Sequence, residues 1–306
     1  MPKKFEEWHW EITADCNLSC IHCATDCREK RSEELSTNEA LVAVKTMISM
    51  GCRRLMITGG GPLMRSDLQT VLEECKKKNI EVQLITNGVL VNKQTGSILQ
   101  KFVSAVAISL DGANVELNDR LRSRGSFAGA LNAISALRGK LPITVHITVS
   151  KANFCELDKI INFVNSLGID KIHISEVTMA GRAQKNHVIL ALETYQRKWL
   201  KKFALKITGA AKVEDCCFAD LSTLYMSSEG LVYPCTEVYL RRPDSCLGSI
   251  KSPALSENLN CLVGDYAGNL RKKCCYDIIG GNNFIFCLNM DEPCPLVKIV
   301  GGVTND

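Results

Sequence analysis

The sequence predicts an α/β protein built on a parallel sheet, and three observations carry that reading. Short β-rich runs alternate six times with longer amphipathic stretches over the first two-thirds of the chain. Glycine, asparagine and aspartate motifs sit at or just after the ends of those runs. Beyond about residue 206 the texture changes to short runs, paired glycines and dense cysteine. Six repeats of strand then helix imply parallel strands, and curvature into a partial (β/α)6 TIM-like barrel gathers their C-terminal ends around one site. The boundary is expected near 207, giving a barrel over 1–206 and a small α+β module over 207–306.

The expected strands are WHWEIT (8–13), RRLMIT (53–58), EVQLIT (81–86), VSAVAISL (103–110), ITVHITV (143–149) and KIHISE (171–176). Helical spacing falls between them at roughly 37–50, 66–78, 92–101, 126–138 and 155–167, the first opened by a Ser36 or Thr37 cap. A further helix is expected near 190–206. After it, LSTLYMSSEGLVYPC (221–235) reads as a hairpin turning at Ser228, Glu229 and Gly230.

The 306 residues, 46% hydrophobic and 23% charged, suffice for a large core. Thirty-seven basic against thirty-three acidic residues leave +4, with no basic block to track a phosphate backbone, so nucleic acid is not an expected partner. The N-terminus lacks an apolar signal region and no stretch reaches the eighteen apolar residues of a membrane span, so a cytoplasmic location off the membrane is expected. Sixteen cysteines in such a chain read as metal ligands or reactive thiols rather than disulfides. Four lie between 16 and 27 and nine between 216 and 294, whereas Cys52, Cys75 and Cys155 are scattered through the middle.

Chemistry concentrates first in CNLSCIHC, where Cys16, Cys20 and Cys23 follow the first strand as CxxxCxxC. Thiolates are the usual ligands of iron–sulfur clusters, and three of them leave one iron of four open to an exogenous ligand. A zinc site or unligated thiols are the alternatives at this spacing. Cys27 reads as a bystander, since a fourth ligand closes the open iron. The glycines Gly59, Gly60 and Gly61 let backbone approach a ligand closely, or simply form a strand-to-helix turn. His9, His22, His146 and His173 read as satisfied structural histidines, with His22 placed inside the cysteine loop to tune a cluster.

CNLSCIHC, ELST (34–37), ITGGGPLMRSDL (57–68), ITNG (85–88), SLDG (109–112) and DRLR (119–122) together resemble the radical S-adenosylmethionine (SAM) superfamily in its usual order, over about residues 8–182. The resemblance implies a 4Fe–4S cluster on Cys16, Cys20 and Cys23 that passes an electron to SAM. Methionine and a 5′-deoxyadenosyl radical result, and the radical abstracts hydrogen from a substrate. It further implies SAM contacts from Gly59, Gly60, Gly61, Asn87 and Ser109, with Arg122 reaching the SAM carboxylate through its guanidinium fork. The family pattern is GGEP, so Gly61 stands where relatives carry a glutamate for the methionine amino group. An electron donor such as flavodoxin or ferredoxin is the implied partner.

CFADLSTLYMSSEGLVYPC (217–235) followed by LGSI (247–250) resembles the start of a SPASM or Twitch module, which carries auxiliary clusters. No CxxC follows, so one auxiliary 4Fe–4S cluster is expected, on Cys217 and Cys235 with Cys287 and Cys294. Cys274, Cys275 and Cys216 are rival ligands, and a zinc ribbon is the alternative. Cys246 is left over, and similarity to epimerases of peptides and aminoglycosides implies a thiol that returns hydrogen to the opposite face of a substrate radical. The expected outcome is epimerization of an antibiotic sugar or aminoglycoside. A peptide epimerase, crosslinking enzyme or dehydrogenase is the alternative, and an inactive SAM-fold binding protein is the alternative of another class.

Overall fold

The computed structural model describes residues 5–208, 214–215, 223–241, 243–256, 259, 276–279 and 284–288. Six parallel strands form its centre: β1 (Glu7–Glu11), β2 (Arg54–Thr58), β3 (Glu81–Thr86), β4 (Ala105–Ser109), β5 (Ile143–Val149) and β6 (Lys171–Glu176), adjacent in chain order. The helices between them are α1 (Thr37–Ser49), α2 (Leu68–Lys77), α3 (Lys93–Phe102), α4 (Val115–Arg122), α5 (Ser126–Leu137) and α6 (Leu157–Ser166). This is the expected partial (β/α)6 barrel.

One face of each strand is sealed. Leu55, Ile57, Val82, Leu84, Val106, Ile108, Val145, Ile147, Ile172 and Ile174 are buried in one continuous core. The helices contribute their own apolar stripes, such as Ala40, Ala43, Val44 and Met47 of α1. Each large aliphatic side chain so buried contributes roughly 1.5–3 kcal/mol. Alternate strand positions, His9, Met56, Ile85, Ala107, Ser109, His146 and His173, are only half-buried and share the opposite face. That face is the open lumen of the partial barrel. Its polar content at β4–β6 includes His146 Nε2 and His173 Nδ1, 3.0 Å apart.

Local signals explain the helix starts. Ser36 caps α1 in a capping box with Glu39, and Asn92 caps α3 by accepting from Gln94 and Thr95 N–H. Helix α4 was not among the expected elements: it is short, and its polar run VELNDRLR buries only two apolar side chains, Leu117 and Leu121. It is fixed by Asn114 as N-cap and by buried Asn118, which accepts from Asp111 N at 2.8 Å and donates to Ser126 Oγ at 2.8 Å.

After β6 come α7 (Gly181–Lys185), α8 (His187–Leu190) and α9 (Thr194–Thr208), then β7 (Glu214–Asp215), β8 (Thr223–Met226) and β9 (Leu231–Tyr233). The last elements are α10 (Thr236–Arg241), β10 (Gly248–Ser249), β11 (Tyr276–Ile279) and β12 (Phe284–Leu288). The β8–β9 hairpin turns where expected, with Gly230 N donating to Ser227 O at 3.0 Å. These later strands extend the same sheet at both ends. Strand β8 pairs in parallel with β1, and β12 pairs in parallel with β6, giving the order β10-β9-β8-β1-β2-β3-β4-β5-β6-β12-β11-β7. No described helix is long and apolar enough to cross a membrane.

Candidate functional site

The residues after β1 run as an irregular loop across the C-terminal ends of the strands, and its backbone groups find partners among side chains from distant elements. Glu34 accepts from Ala14 N at 2.6 Å and from Thr13 Oγ1 at 2.9 Å. Arg65, tied to Asp67, donates to Ile12 O and Leu35 O, both at 2.9 Å. Arg182 does most. Its Nε donates to Cys20 O at 2.8 Å, Nη2 to Cys27 O at 3.0 Å and Nη1 to Asp26 Oδ1 at 2.7 Å, while its own N–H donates to Cys23 O at 2.9 Å. A buried loop without such partners strands its carbonyls, at about 1–3 kcal/mol each.

The glycine turn after β2 braces the same loop. Gly60 N donates to Thr13 O at 2.8 Å and Gly61 N to Asp15 O at 2.7 Å. A Cβ on Gly59, whose φ is +135°, would collide with Thr13 O, and one on Gly60 with Asp15 O. Two backbones meet there with no room for side chains.

One pocket results, lined by Cys16, Cys20 and Cys23, by Gly59 and Gly60, and by Asn87, Ser109 and Arg122. His22, Cys27 and Arg182 line it as well. Gly61 is outside the lining; a Cβ there would meet Met64 Cγ at 3.1 Å and Asn17 Oδ1 at 3.3 Å. Asn87 donates to that same Asn17 Oδ1 at 2.9 Å, which ties the third strand's end to the cysteine loop.

Arg122 is buried and ion-paired with Asp111, itself fully buried. Asp111 Oδ2 also lies 3.2 Å from His22 Nε2, and Oδ1 accepts from Thr148 N at 2.7 Å. Burial holds His22 down at about 4 despite Asp111, so its imidazole is neutral near pH 7. Arg122 thus enters the pocket already oriented by a carboxylate.

The three thiols differ in environment. Burial raises Cys16, and raises Cys20 to about 11. Cys23 is lowered to about 5, first by a hydrogen bond from Cys27 and then by Thr25 and the charge of Arg182. Among the described residues no three of His, Cys, Asp and Glu converge closely enough to hold a single ion.

Of the C-terminal residues singled out above, Cys217 and Cys294 lie outside the described residues, as do Cys216, Cys274 and Cys275. Cys287 is in β12 opposite Ser175 of β6. Cys235 is buried immediately before α10, and Cys246 sits in the loop before β10. Cys246 Sγ approaches Val232 O at 3.5 Å and Gly248 O at 3.3 Å and accepts from Gly248 N at 3.3 Å; it is not among the pocket's lining residues.

Sequence reasoning missed Arg182, Asp111 and Glu34. The signal for Arg182 was its place just past the sixth strand, where the other strands carry their motifs; for Asp111 it was a carboxylate inside SLDG beside a strand end.

Comparison with known proteins agrees with this geometry. The AdoMet-dependent heme synthase of Methanosarcina barkeri is 29% identical over 265 residues, covering 74% of this chain and 75% of that protein. The mycofactocin maturase MftC of Mycolicibacterium smegmatis is 33% identical over 154 residues, 49% of this chain and 39% of the maturase. The chain spans about half the length of several other curated relatives. In fold it is similar to Streptococcus suis SuiB bound to SAM, with a TM-score of 0.67 at 15% identity over 97% of this chain and 72% of SuiB. It is also similar to anSMEcpe with bound AdoMet and Cp18Cys peptide, with a TM-score of 0.66 at 18% identity over 84% of this chain and 80% of that one. The Radical SAM superfamily model matches residues 10–164, from the first strand through the sixth helix of the barrel. With half its length so matched, and with the cysteine loop and glycine turn braced around a single pocket, the chain belongs to the radical SAM superfamily.

Proposed function

We propose that this enzyme binds SAM over a 4Fe–4S cluster held by Cys16, Cys20 and Cys23 and modifies a peptide by hydrogen abstraction. The observation that carries the first part is that the three cysteines, Gly59, Gly60, Asn87, Ser109 and Arg122 all line one pocket. When bound, the cluster supplies the electron that cleaves SAM to methionine and a 5′-deoxyadenosyl radical. The chain's residues do the placing. Arg122, oriented by Asp111, offers its remaining guanidinium N–H groups to a carboxylate, while Asn87 and Ser109 present hydrogen-bonding atoms at the ends of β3 and β4. Gly59 and Gly60 leave backbone open on the pocket wall, and with Gly61 in place of an acid, backbone carbonyls are the available acceptors for the SAM amino group.

A peptide is favoured over an aminoglycoside by the company the chain keeps. Its relatives include a mycofactocin maturase, and solved structures of this fold hold a precursor peptide (SuiA, on SuiB) or a Cp18Cys peptide (on anSMEcpe). The module from 207 onward would carry one auxiliary 4Fe–4S cluster on Cys217, Cys235, Cys287 and Cys294. Epimerization with Cys246 as hydrogen donor is the second reading, favoured by a half-buried thiol held in place by Gly248 N and the carbonyls of Val232 and Gly248.

Anaerobic reconstitution should give about eight irons per chain, and replacing Cys16, Cys20 and Cys23 together should remove about half and abolish SAM cleavage. Arg122→Ala should weaken SAM binding by roughly 1.5–3 kcal/mol. The substrate class is read from 5′-deoxyadenosine formation above the uncoupled rate with short peptides, aminoglycosides or iron porphyrins. Stimulation by a sugar or porphyrin alone overturns the peptide assignment. In deuterated water, one deuterium at an inverted carbon, lost in Cys246→Ala with iron intact, would establish the second reading in its place.

A further inference from the structure

Two adjacent apolar side chains are exposed beside the cysteine loop, and the function proposed above gives them no task. Val188 and Ile189 of α8 are 73% and 55% exposed. A single exposed aliphatic is ordinary, whereas a pair next to a functional loop marks a surface that another molecule can cover.

The segment carrying that pair is fastened to the loop. Asn186, immediately before α8, donates through Nδ2 to Ile21 O at 3.0 Å, and Ile21 lies between Cys20 and Cys23. A Cβ on Gly181 of α7 would collide with Ala24 O and Cys23 O, so α7 rests on the loop backbone with no side chain between. Ile21 is also tied to α4, because its N–H donates to Leu121 O at 2.9 Å, and Ser19 N donates to Ser123 Oγ at 2.9 Å. The end of α4 and the start of α8 therefore flank the same few residues.

That flank is cationic. Arg120 and Arg124 are exposed on the α4 side, and among the described residues neither forms an ion pair. The neighbouring Asp119 spends its oxygens on Gly125 N, Ser126 Oγ and Phe127 N. On the α8 side exposed Lys185 joins Arg182 in neutralising Asp26, the loop's own exposed acid. Even with Glu29 and Glu116 counted, the exposed charge flanking the loop is positive.

We propose that this face, Val188 and Ile189 with Arg120, Arg124 and Lys185 around Ile21, docks an acidic protein that carries single electrons. The inference rests on the reading that Cys16, Cys20 and Cys23 hold a 4Fe–4S cluster. A cluster that gives one electron to SAM must take one back, so the carrier is oxidised by one electron as the cluster is reduced by one. Tunnelling falls off steeply with distance, and half-buried Ile21 brings this face to the residue next to Cys20. The cations steer an acidic partner in, and the apolar pair supplies a small contact of the kind that suits a brief encounter.

The test compares two reductants of the reconstituted full chain: dithionite, which needs no docking, and an acidic flavodoxin or ferredoxin supplied in its reduced form. Carrier binding is read separately by titration calorimetry at about 0.05 and 0.3 M salt. Arg120→Glu with Arg124→Glu, and Val188→Ser with Ile189→Ser, should each weaken carrier binding by about tenfold or more and slow carrier-driven 5′-deoxyadenosine formation in step. Dithionite-driven formation should keep its wild-type rate in both. Lys77→Glu with Lys78→Glu, at the end of α2, makes the same change in net charge as the arginine pair and should bind the carrier like wild type. Wild-type binding and wild-type carrier-driven rates in both pairs would overturn the proposal, and either pair decides if the other does not fold. A dimeric wild type that Val188→Ser with Ile189→Ser splits, with carrier binding intact, would overturn it too, because a second copy then covers the face. A wild type that binds the carrier through this face yet cleaves no SAM under dithionite would support the docking and refute the cluster reading instead.

Discussion

Replacing Arg182 with alanine tests whether the cysteine loop owes its shape to one side chain. The guanidinium makes three contacts: two with the carbonyls of Cys20 and Cys27, and one with the Asp26 carboxylate. Asp26 is 40% exposed and also paired with Lys185, so losing that ion pair costs about 0–1 kcal/mol. The carbonyls are a different matter. Each sits against a buried guanidinium and loses a charged donor, at about 1–3 kcal/mol apiece if water does not replace it. Part of the loop is half-exposed and admits water, so a net loss of about 2–4 kcal/mol is expected. For a chain of this size that lowers Tm by roughly 4–8 °C. Calorimetry on the apoprotein reads the stability, and iron content after anaerobic reconstitution reads the loop. Arg182→Lys, a point charge that reaches one carbonyl at best, should fall between the two. Wild-type Tm together with wild-type iron in Arg182→Ala would refute the idea that this residue holds the loop.

Gly60→Ala should destabilise by about 2 kcal/mol or more and reduce recovery of folded protein, because its Cβ meets the Asp15 carbonyl; Gly61→Ala, with φ of −129° and contacts of 3.1–3.3 Å to flexible side chains, should stay within about 1 kcal/mol in chemical denaturation. Asp111→Asn should cost about 3–5 kcal/mol, since it leaves Arg122 buried without its counter-charge, and Asp111→Asn with Arg122→Met should recover part of that loss. Stability should fall as pH drops below 6.5. His22, lowered to about 4, and His146, lowered well below its usual range by burial, stay neutral in the fold while their unfolded forms take up protons, so stability is fully present above 6.5 and is lost as pH falls toward 4. His146→Asn should flatten that slope in urea titrations at pH 7, 5.5 and 4.5.

The barrel was legible because its information is local. Alternation within ITVHITV and KIHISE and the Ser36–Glu39 capping signal fix those elements from neighbours in sequence, and the structure places them within a residue or two of expectation. The cysteine loop, the glycine turn and Asn87 also declared themselves, and they meet in one pocket. What was not legible is long-range. Nothing near Arg182 says that its guanidinium reaches back 162 residues to Cys20. Nothing in TLYM says that β8 pairs with β1 rather than ending with its hairpin. Nor does WHWEIT say that its glutamate is buried, since that depends on Arg31, Tyr225 and Tyr239 arriving from elsewhere.

The pairing of β8 with β1 and of β12 with β6 bears on how the chain is made. Until those late strands arrive, a nascent barrel exposes two unsatisfied parallel edges, each a template for another chain. Closing the first joins residues more than two hundred apart, a slow step for a polypeptide leaving the ribosome. A fragment ending at 206 would contain every residue that lines the pocket and still be prone to self-association, whereas among the described residues the sheet ends on β10 and β7, each only two residues long. Expression trials that trim the protein to its matched family region should therefore yield aggregates, and co-expressing the missing C-terminal piece is the remedy the topology suggests.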